Sequence, residues 1–104
     1  MKITKEIILQ YLEEVKPELE EDGIEKIALF GSFATGRQNV YSDIDIAIKK
    51  KDDFLEGRSA YDYFGLVSKI KEMVRISLHR NSDIFDLDND SKFADTIKKE
   101  MIYV

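Results

Sequence analysis

The sequence predicts an α/β fold in which helices and strands alternate along the chain. Two long stretches place apolar residues at three- and four-residue steps, which is typical of helices with one buried face. Short apolar runs closed by turn residues lie between them and are typical of strands. The chain has 104 residues, of which 43% are hydrophobic and 36% charged. This is the size and balance of one globular domain, so we expect residues 1–104 to form a single domain.

The first helix is predicted over residues 3–19. Pro17 lacks a backbone donor, so we expect it to kink or restart this helix near residues 13–17. Gly23 suits the left-handed position that follows a helix end, so the helix should end by Asp22. The apolar residues that define the buried face are Ile3, Ile7, Ile8, Leu12, Val15 and Leu19.

Two strands are predicted on either side of a Gly-Ser turn. Residues 26–30 form a short apolar run that ends at Gly31-Ser32, as a buried strand entering a tight turn would. Residues 43–49 alternate between two faces, because successive side chains of a strand point to opposite sides of the sheet. One face carries Ile44, Ile46 and Ile48, and the other carries Asp43, Asp45, Ala47 and Lys49.

A second long helix is predicted over residues 59–76. Ser59 and Asp62 resemble the capping pair that opens many helices, because each side chain can bond the backbone of the other. The apolar positions at helical spacing are Tyr63, Leu66, Val67, Ile70, Met73 and Val74.

The remaining elements are shorter. Residues 82–87 have the pattern of a strand and are predicted as the third strand, and a last helix should begin near Asp90 or Ser91. Residues 101–104 suit an edge strand. The predicted sheet therefore has at least three strands and one candidate edge.

Composition excludes several classes of function. No apolar run approaches the ~20 residues that a membrane span needs, and the N-terminal stretch lacks the uninterrupted apolar region of a secretory signal, so we expect a cytoplasmic protein with no membrane partner. The absence of cysteine excludes disulfides, thiolate metal sites and a cysteine nucleophile. The formal net charge of −5 argues against a nucleic-acid partner, since such binding rests on Lys and Arg neutralising phosphates.

The chemistry of the chain is concentrated between residues 31 and 45. Asp43 and Asp45 are two residues apart on one strand and so point the same way, which is unfavourable for like charges unless a cation joins them. Mg²⁺ suits such oxygen ligands and usually combines one or two protein carboxylates with substrate phosphates. Gly31-Ser32 can cradle a phosphate, because glycine allows close approach and backbone N–H groups after a strand can face an anion.

Gly31-Ser32, a ten-residue spacer and Asp43-Ile44-Asp45 resemble the signature of the DNA polymerase β-like nucleotidyltransferase superfamily. The longer stretch "ALFGSFATGRQNVYSDIDIAI" and the C-terminal "SDIFDLDND" and "IKKEMIYV" are similar to its minimal nucleotidyltransferases, which include the antitoxins of HEPN/MNT toxin-antitoxin pairs. The resemblance implies an α+β fold with a small mixed sheet and helices packed on one face. It also implies two Mg²⁺ ions held by three carboxylates.

Asp43 and Asp45 are the first two of these carboxylates, both as metal ligands and as catalytic residues. Periodicity does not decide whether Asp83 or Asp86 is the third, because either can face the site. Relatives often show Asp-x-x-Asp-Leu with the first Asp catalytic, and this similarity favours Asp83. We therefore predict Asp43, Asp45 and Asp83 as the metal-binding and catalytic set.

The resemblance also implies a binding site for the nucleotide. Gly31 and Ser32 would hold the β- and γ-phosphates of ATP. Relatives often have Arg or Lys where Phe33 and Thr35 stand, so Arg37 is the nearest basic residue left to meet the triphosphate.

The function implied is transfer of AMP from ATP to a hydroxyl, most simply a tyrosine of a partner HEPN toxin, which would make this chain an antitoxin. A non-catalytic binding module of the same fold and transfer to an aminoglycoside-like small molecule are the alternatives, and self-association stays open. Asp86, Asp88 and Asp90 have the spacing of a calcium loop, but Ser91 stands where that loop needs glycine and Ile97 where it needs glutamate. A solvated turn is the favoured interpretation of that segment.

Overall fold

The computed structural model describes residues 2–88 and 92–104 and contains a four-stranded mixed sheet. The strands are β1 (Ile24–Phe30), β2 (Ile44–Lys50), β3 (Ser82–Asp86) and β4 (Ile102–Tyr103). Their order in the sheet is β3-β2-β1-β4, with β1 antiparallel to both β2 and β4 and β2 parallel to β3. The predicted α+β fold with a mixed sheet is confirmed, and so is the C-terminal edge strand.

Within the described residues, four helices accompany the sheet, and a 3-10 turn lies at Phe54–Glu56. They are α1 (Lys5–Glu21), α2 (Ser32–Thr35), α3 (Ala60–Leu78) and α4 (Lys92–Lys98). The predicted Gly-Ser turn is thus the start of the one-turn helix α2. The predicted start of the last helix, at Asp90 or Ser91, lies outside the described residues.

The first helix runs without interruption through Pro17, so the predicted restart does not occur. Its buried residues Ile8, Leu12 and Leu19 lie on both sides of the proline and pack into the same core, which holds both halves in one continuous helix. Gly23 follows the helix with a φ of 108°, as predicted, and a Cβ there would overlap the Phe54 ring. Tertiary packing therefore outweighs the loss of one helical hydrogen bond at the proline.

The main core lies between the sheet and the two long helices. The alternation predicted for β2 is confirmed, because its isoleucines are completely buried against α1 and α3. The predicted capping box at Ser59 and Asp62 is also present at the start of α3. The fully buried strand residues of this core are Ile24, Ile27, Leu29, Ile44, Ile46 and Ile48.

The opposite face of the sheet carries a second, smaller core, beyond the one-face packing expected. Ile97 of α4 packs there on Ala28, Phe30 and Ala47. The two alanines leave room for a helix close to the sheet, so this face is covered next to the strand ends that carry the acidic residues. No helix formed by the described residues is both long and apolar enough to cross a membrane.

Candidate active site

Three aspartates meet where β2 and β3 begin. Asp43 immediately precedes β2, Asp45 is its second residue, and Asp45 lies directly opposite Asp83 in the parallel pairing with β3. Partners in such a ladder direct their side chains to the same face. The buried Ile44 and Ile46 hold this register, since a slip of one residue would turn them into the opposite face.

Electrostatic strain in this cluster is centred on Asp45. The pKa of its carboxyl is raised from 3.8 to about 6, and burial is the largest cause. The negative charges of Asp83, Asp43 and Glu100 supply the rest of this rise, in that order. Among residues 2–88 and 92–104, no Lys or Arg forms an ion pair with Asp43, Asp45 or Asp83. The cluster is thus an uncompensated concentration of negative charge.

Gly31 makes room for the Asp45 carboxylate. Its φ of 77° and ψ of −155° lie in a region that only glycine adopts readily. A Cβ at this position would overlap Oδ2 of Asp45, which faces Gly31 from the neighbouring strand because Asp45 also pairs with Phe30 of β1. Two independent constraints therefore require glycine here: the backbone conformation and the approach of the carboxylate.

The backbone after Gly31 forms a compact turn at the end of β1. The Gly31 carbonyl accepts hydrogen bonds from the N–H groups of Ala34 and Thr35, each at 3.1 Å. The N–H groups of Ser32 and Phe33 belong to the first turn of α2 and so have no acceptor within the helix. This arrangement places free donors beside the strand that carries Asp45, as a phosphate cradle requires.

Arg37 is connected to the aspartates only through Glu100. Its side chain is 73% exposed, its Nε donates to Thr35 Oγ1 at 3.0 Å, and its Nη2 lies 3.7 Å from Glu100 Oε2. The sequence reasoning missed Glu100, whose charge reaches Asp45. The sequence feature that could have indicated Glu100 is its position in the C-terminal segment "IKKEMIYV", just before Met101.

Asp86 lies at the far end of β3, opposite Ile48. It accepts a hydrogen bond from Lys50 Nζ at 2.7 Å, and Lys50, whose side chain is only 15% exposed, lies over the Tyr63 ring at 4.3 Å. Burial, and then the charge of Asp86, raises the pKa of the Tyr63 hydroxyl. The structure therefore brings Asp83 to Asp45 and leaves Asp86 in a separate, charge-balanced cluster.

The structure describes two aspartates of the calcium-loop alternative, Asp86 and Asp88, and both form ion pairs with the same lysine. Lys50 Nζ lies 2.7 Å from Asp86 Oδ2 and 3.0 Å from Asp88 Oδ2. Asp90, the third member of that pattern, lies outside the described residues. The contacts agree with a turn, which was the favoured interpretation, and the ion pairs of Lys50 are a feature that this interpretation did not include.

The donor chemistry of Asp43, Asp45 and Asp83 fits a hard divalent cation, because it offers only carboxylate oxygens and no compensating positive charge. Within the described ranges, no group of three or more His, Cys, Asp or Glu side chains is arranged as a ready-made metal site. Magnesium sites that rely on one or two protein carboxylates and on substrate phosphates do not need such a closed cage. The cluster can therefore supply part of a coordination shell that a nucleotide completes.

Comparison with known proteins identifies the family of the domain. The family model described as "Polymerase beta, Nucleotidyltransferase" matches residues 13–104. No curated protein sequence matches the chain. Among solved structures, a minimal nucleotidyltransferase is similar over 96% of this chain and 95% of its own, with a TM-score of 0.71 and 22% identity.

Two further similar structures come from toxin-antitoxin complexes. One is a toxin-antitoxin complex with AMP-PNP, matched over 97% of this chain and 72% of that chain, with a TM-score of 0.59 and 24% identity. The other is a complex of a tri-AMPylated Shewanella oneidensis HEPN toxin with an MNT antitoxin, matched over 88% of this chain and 66% of that chain, with a TM-score of 0.54 and 20% identity. At these identities the likeness concerns the fold. With the family model spanning most of its length, the chain belongs to the polymerase beta nucleotidyltransferase family.

Proposed function

We propose that this chain is a Mg²⁺-dependent adenylyltransferase that transfers AMP from ATP to a tyrosine hydroxyl of a partner HEPN-type toxin and thereby acts as its antitoxin. The observation that carries the proposal is the pairing of Asp45 with Asp83 across β2 and β3, with Asp43 beside them. Three carboxylates with no basic partner destabilise the folded chain unless cations bind there. A structural role alone gives no reason for such a cluster.

Each residue of the site has a defined part in this reaction. Two Mg²⁺ ions held by the aspartates, when bound, supply charge neutralisation for the triphosphate. The free N–H groups after Gly31, together with the Ser32 hydroxyl, bind the β- and γ-phosphates and orient the α-phosphorus. The acceptor oxygen forms a bond to that phosphorus, the bond to the pyrophosphate oxygen breaks, and Asp83 accepts the hydroxyl proton.

The identity of nucleotide and acceptor is supported by the similar structures. One of those complexes contains AMP-PNP, an ATP analogue, and another contains a HEPN toxin that carries AMP. Arg37 is within reach of Glu100 and sits on the α2 side of the site, where its exposed guanidinium can move toward a triphosphate. ATP and a HEPN-type protein are therefore the first substrates to test.

The test is incubation of the chain with ATP, Mg²⁺ and a purified HEPN-type protein, followed by intact-mass measurement of both proteins. We expect the HEPN protein to gain mass in steps of one AMP. Asp45→Asn should abolish the gain, whereas the matched control Asp52→Asn should not, because Asp52 is 99% exposed and follows the end of β2 that is opposite to the cluster. Full neutralisation of the toxin by Asp45→Asn without any mass gain would favour the non-catalytic binding module instead.

A further inference from the structure

We propose that a polar cavity beside Asp43 is the acceptor subsite, and that it takes the tyrosine-bearing segment of the acceptor protein together with an acidic side chain next to that tyrosine. This inference rests on the proposed function, which it extends to the acceptor side. The cavity has a volume of about 430 Å³. Its walls are the turn that precedes β2 and the connection from α3 to β3, with Tyr41, Asp43, His79 and Arg80 among its lining residues.

The position of the cavity follows from the order of the strands. Gly31 and Ser32 lie at the end of β1, on one side of β2, whereas His79 and Arg80 precede β3, on the other side. In phosphoryl transfer the attacking and leaving oxygens lie roughly in line, on opposite sides of the phosphorus. If the pyrophosphate leaves toward Gly31 and Ser32, the hydroxyl must arrive from the side of β3, where the cavity opens beside Asp43.

The walls of the cavity are braced before any ligand arrives. In the turn, the Tyr41 N–H donates to Asn39 Oδ1 at 2.8 Å and the Asn39 N–H donates to Ser42 Oγ at 2.9 Å. Arg80 Nη1 donates to the Ser42 carbonyl at 2.7 Å, which ties the turn to the other wall. The Arg80 guanidinium also stacks over the Phe33 ring at 5.5 Å. A site held in this way loses little conformational entropy on binding.

The charge of the cavity selects an acidic segment. Arg75 is already paired with Glu72, whereas Arg80 forms no ion pair in the part of the chain that the structure describes. Arg80 and the exposed His79 therefore offer donors for an anion, although the whole chain carries a net charge of −5. Charge-assisted hydrogen bonds to a carboxylate are the contacts that such donors make best.

The rim of the cavity selects a protein rather than a free anion. Val40 and Tyr41 are 76% and 90% exposed at the tip of the braced turn. An apolar side chain and an aromatic ring held in solvent by a rigid turn supply contact area of the kind that protein interfaces use. Together with the basic wall, they fit a segment that has an aromatic hydroxyl residue flanked by an acidic one.

The binding test uses nuclear magnetic resonance of the isotopically labelled chain with two blocked peptides, Gly-Asp-Tyr-Asp-Gly and Gly-Lys-Tyr-Lys-Gly. Each is titrated with and without Mg²⁺, because the charge of Asp43 opposes an acidic peptide until a cation offsets it. We expect the acidic peptide to shift the amide signals of Tyr41, Ser42 and Arg80 but not that of Gly31, and to bind more tightly with Mg²⁺. Mg·ATP should shift the Gly31 amide. Equal binding of both peptides, or acidic-peptide shifts centred on Gly31, would overturn the assignment.

Variants of Arg80 distinguish the contribution of its charge from its part in bracing the cavity. Arg80→Gln should weaken binding of the acidic peptide about tenfold, the effect of one charge-assisted hydrogen bond. Arg80→Lys should keep most of the affinity. Arg58→Gln is the matched control, since Arg58 also stacks on a phenylalanine, Phe54, at 5.0 Å but lines a different cavity. An equal loss in Arg80→Lys and Arg80→Gln, or a loss in Arg58→Gln, would overturn the role of the Arg80 charge.

The same titrations distinguish failure of this inference from failure of the proposed function. Arg80-dependent binding of the acidic peptide without binding of Mg·ATP would uphold the cavity as an acidic-segment site and overturn the adenylyltransferase proposal. Binding of Mg·ATP at Gly31 with no peptide at the cavity would do the reverse. A tri-adenylate oligonucleotide is the third probe, and its binding at Arg80 in place of the peptide would overturn the assignment in favour of a nucleic-acid acceptor.

Discussion

Replacement of Gly31 by alanine tests the link between the backbone turn and the carboxylate cluster. The change has two separable consequences. It forces a side chain into a backbone conformation with φ of 77° and ψ of −155°, which costs about 1–3 kcal/mol. It also places a Cβ against Oδ2 of Asp45, and overpacking of this kind costs about another 1–3 kcal/mol. We therefore expect the free energy of unfolding to fall by about 2–6 kcal/mol.

Gly36 provides a matched control for the backbone contribution. It has the same φ of 77°, but a Cβ there would meet no heavy atom within 4 Å. Gly36→Ala should therefore cost only the left-handed strain, about 1–2 kcal/mol. The excess loss in Gly31→Ala over Gly36→Ala reports the overlap with Asp45 together with the extra strain of the Gly31 ψ of −155°, since Gly36 has a ψ of 15°.

A double-mutant cycle with Asp45→Ala completes the test, with urea unfolding as the assay. Removing the Asp45 carboxylate leaves its Cβ 3.1 Å from the new Cβ, a tight contact without the overlap. Gly31→Ala should then cost only its own backbone strain, about 1–3 kcal/mol, and the two changes should be strongly non-additive. Additive losses would refute the argument that Gly31 exists to admit Asp45. The Asp45→Ala background also keeps the measurement possible if Gly31→Ala alone does not fold.

Three further outcomes follow from the charges of the site. In EDTA, the folded chain holds the Asp45 proton more tightly than the unfolded chain. This carboxyl should therefore lower the free energy of unfolding by about 1 kcal/mol as pH rises from about 4 to about 6. Urea melts of Asp45→Asn should lack this pH-dependent step. Calorimetry should show ATP binding with Mg²⁺ or Mn²⁺ and little binding in EDTA, and equal affinity in both would contradict the two-metal proposal. Asp83→Asn should abolish AMP transfer and leave stability unchanged or raised. Asp86→Asn should keep most transfer and lose about 1–3 kcal/mol of stability, because Lys50 loses a close partner. The reverse pattern would assign the third carboxylate to Asp86.

Local pattern was sufficient for most of the fold. The alternation of Ile44, Ile46 and Ile48 predicted the face of β2 that meets the main core, and burial of all three confirms it, while Ala47 on the other face is buried in the second core. The capping pair at Ser59 was equally readable, because a capping box depends on residues three apart. At Pro17 the local rule predicted a restart, and packing on both sides of the proline overrode it.

Local sequence patterns could not predict the features that depend on residues distant in the chain. The choice between Asp83 and Asp86 depends on how β3 pairs with β2, and the period of two within β3 allows either. Glu100 reaches Asp45 only because the turn after α4 returns to the sheet, and Arg80 reaches the Ser42 carbonyl only because α3 ends beside the start of β2. Each of these contacts joins segments more than thirty residues apart, so no window of the sequence contains both partners.

The two aspartates of β3 show how the same residue type acquires opposite roles from its surroundings. Asp86 lies beside Lys50, so its charge is compensated and contributes to holding the end of the sheet. Asp83 lies beside Asp45, where a second negative charge raises the pKa of its neighbour and destabilises the folded chain. A fold that is stabilised at one end of a strand and strained at the other is expected when the strained end binds cations, because the binding free energy of the ligand then offsets the repulsion. The charge that weakens the fold is thus the charge that would bind metal and nucleotide, and neutralising Asp83 should strengthen the fold while it removes the reaction.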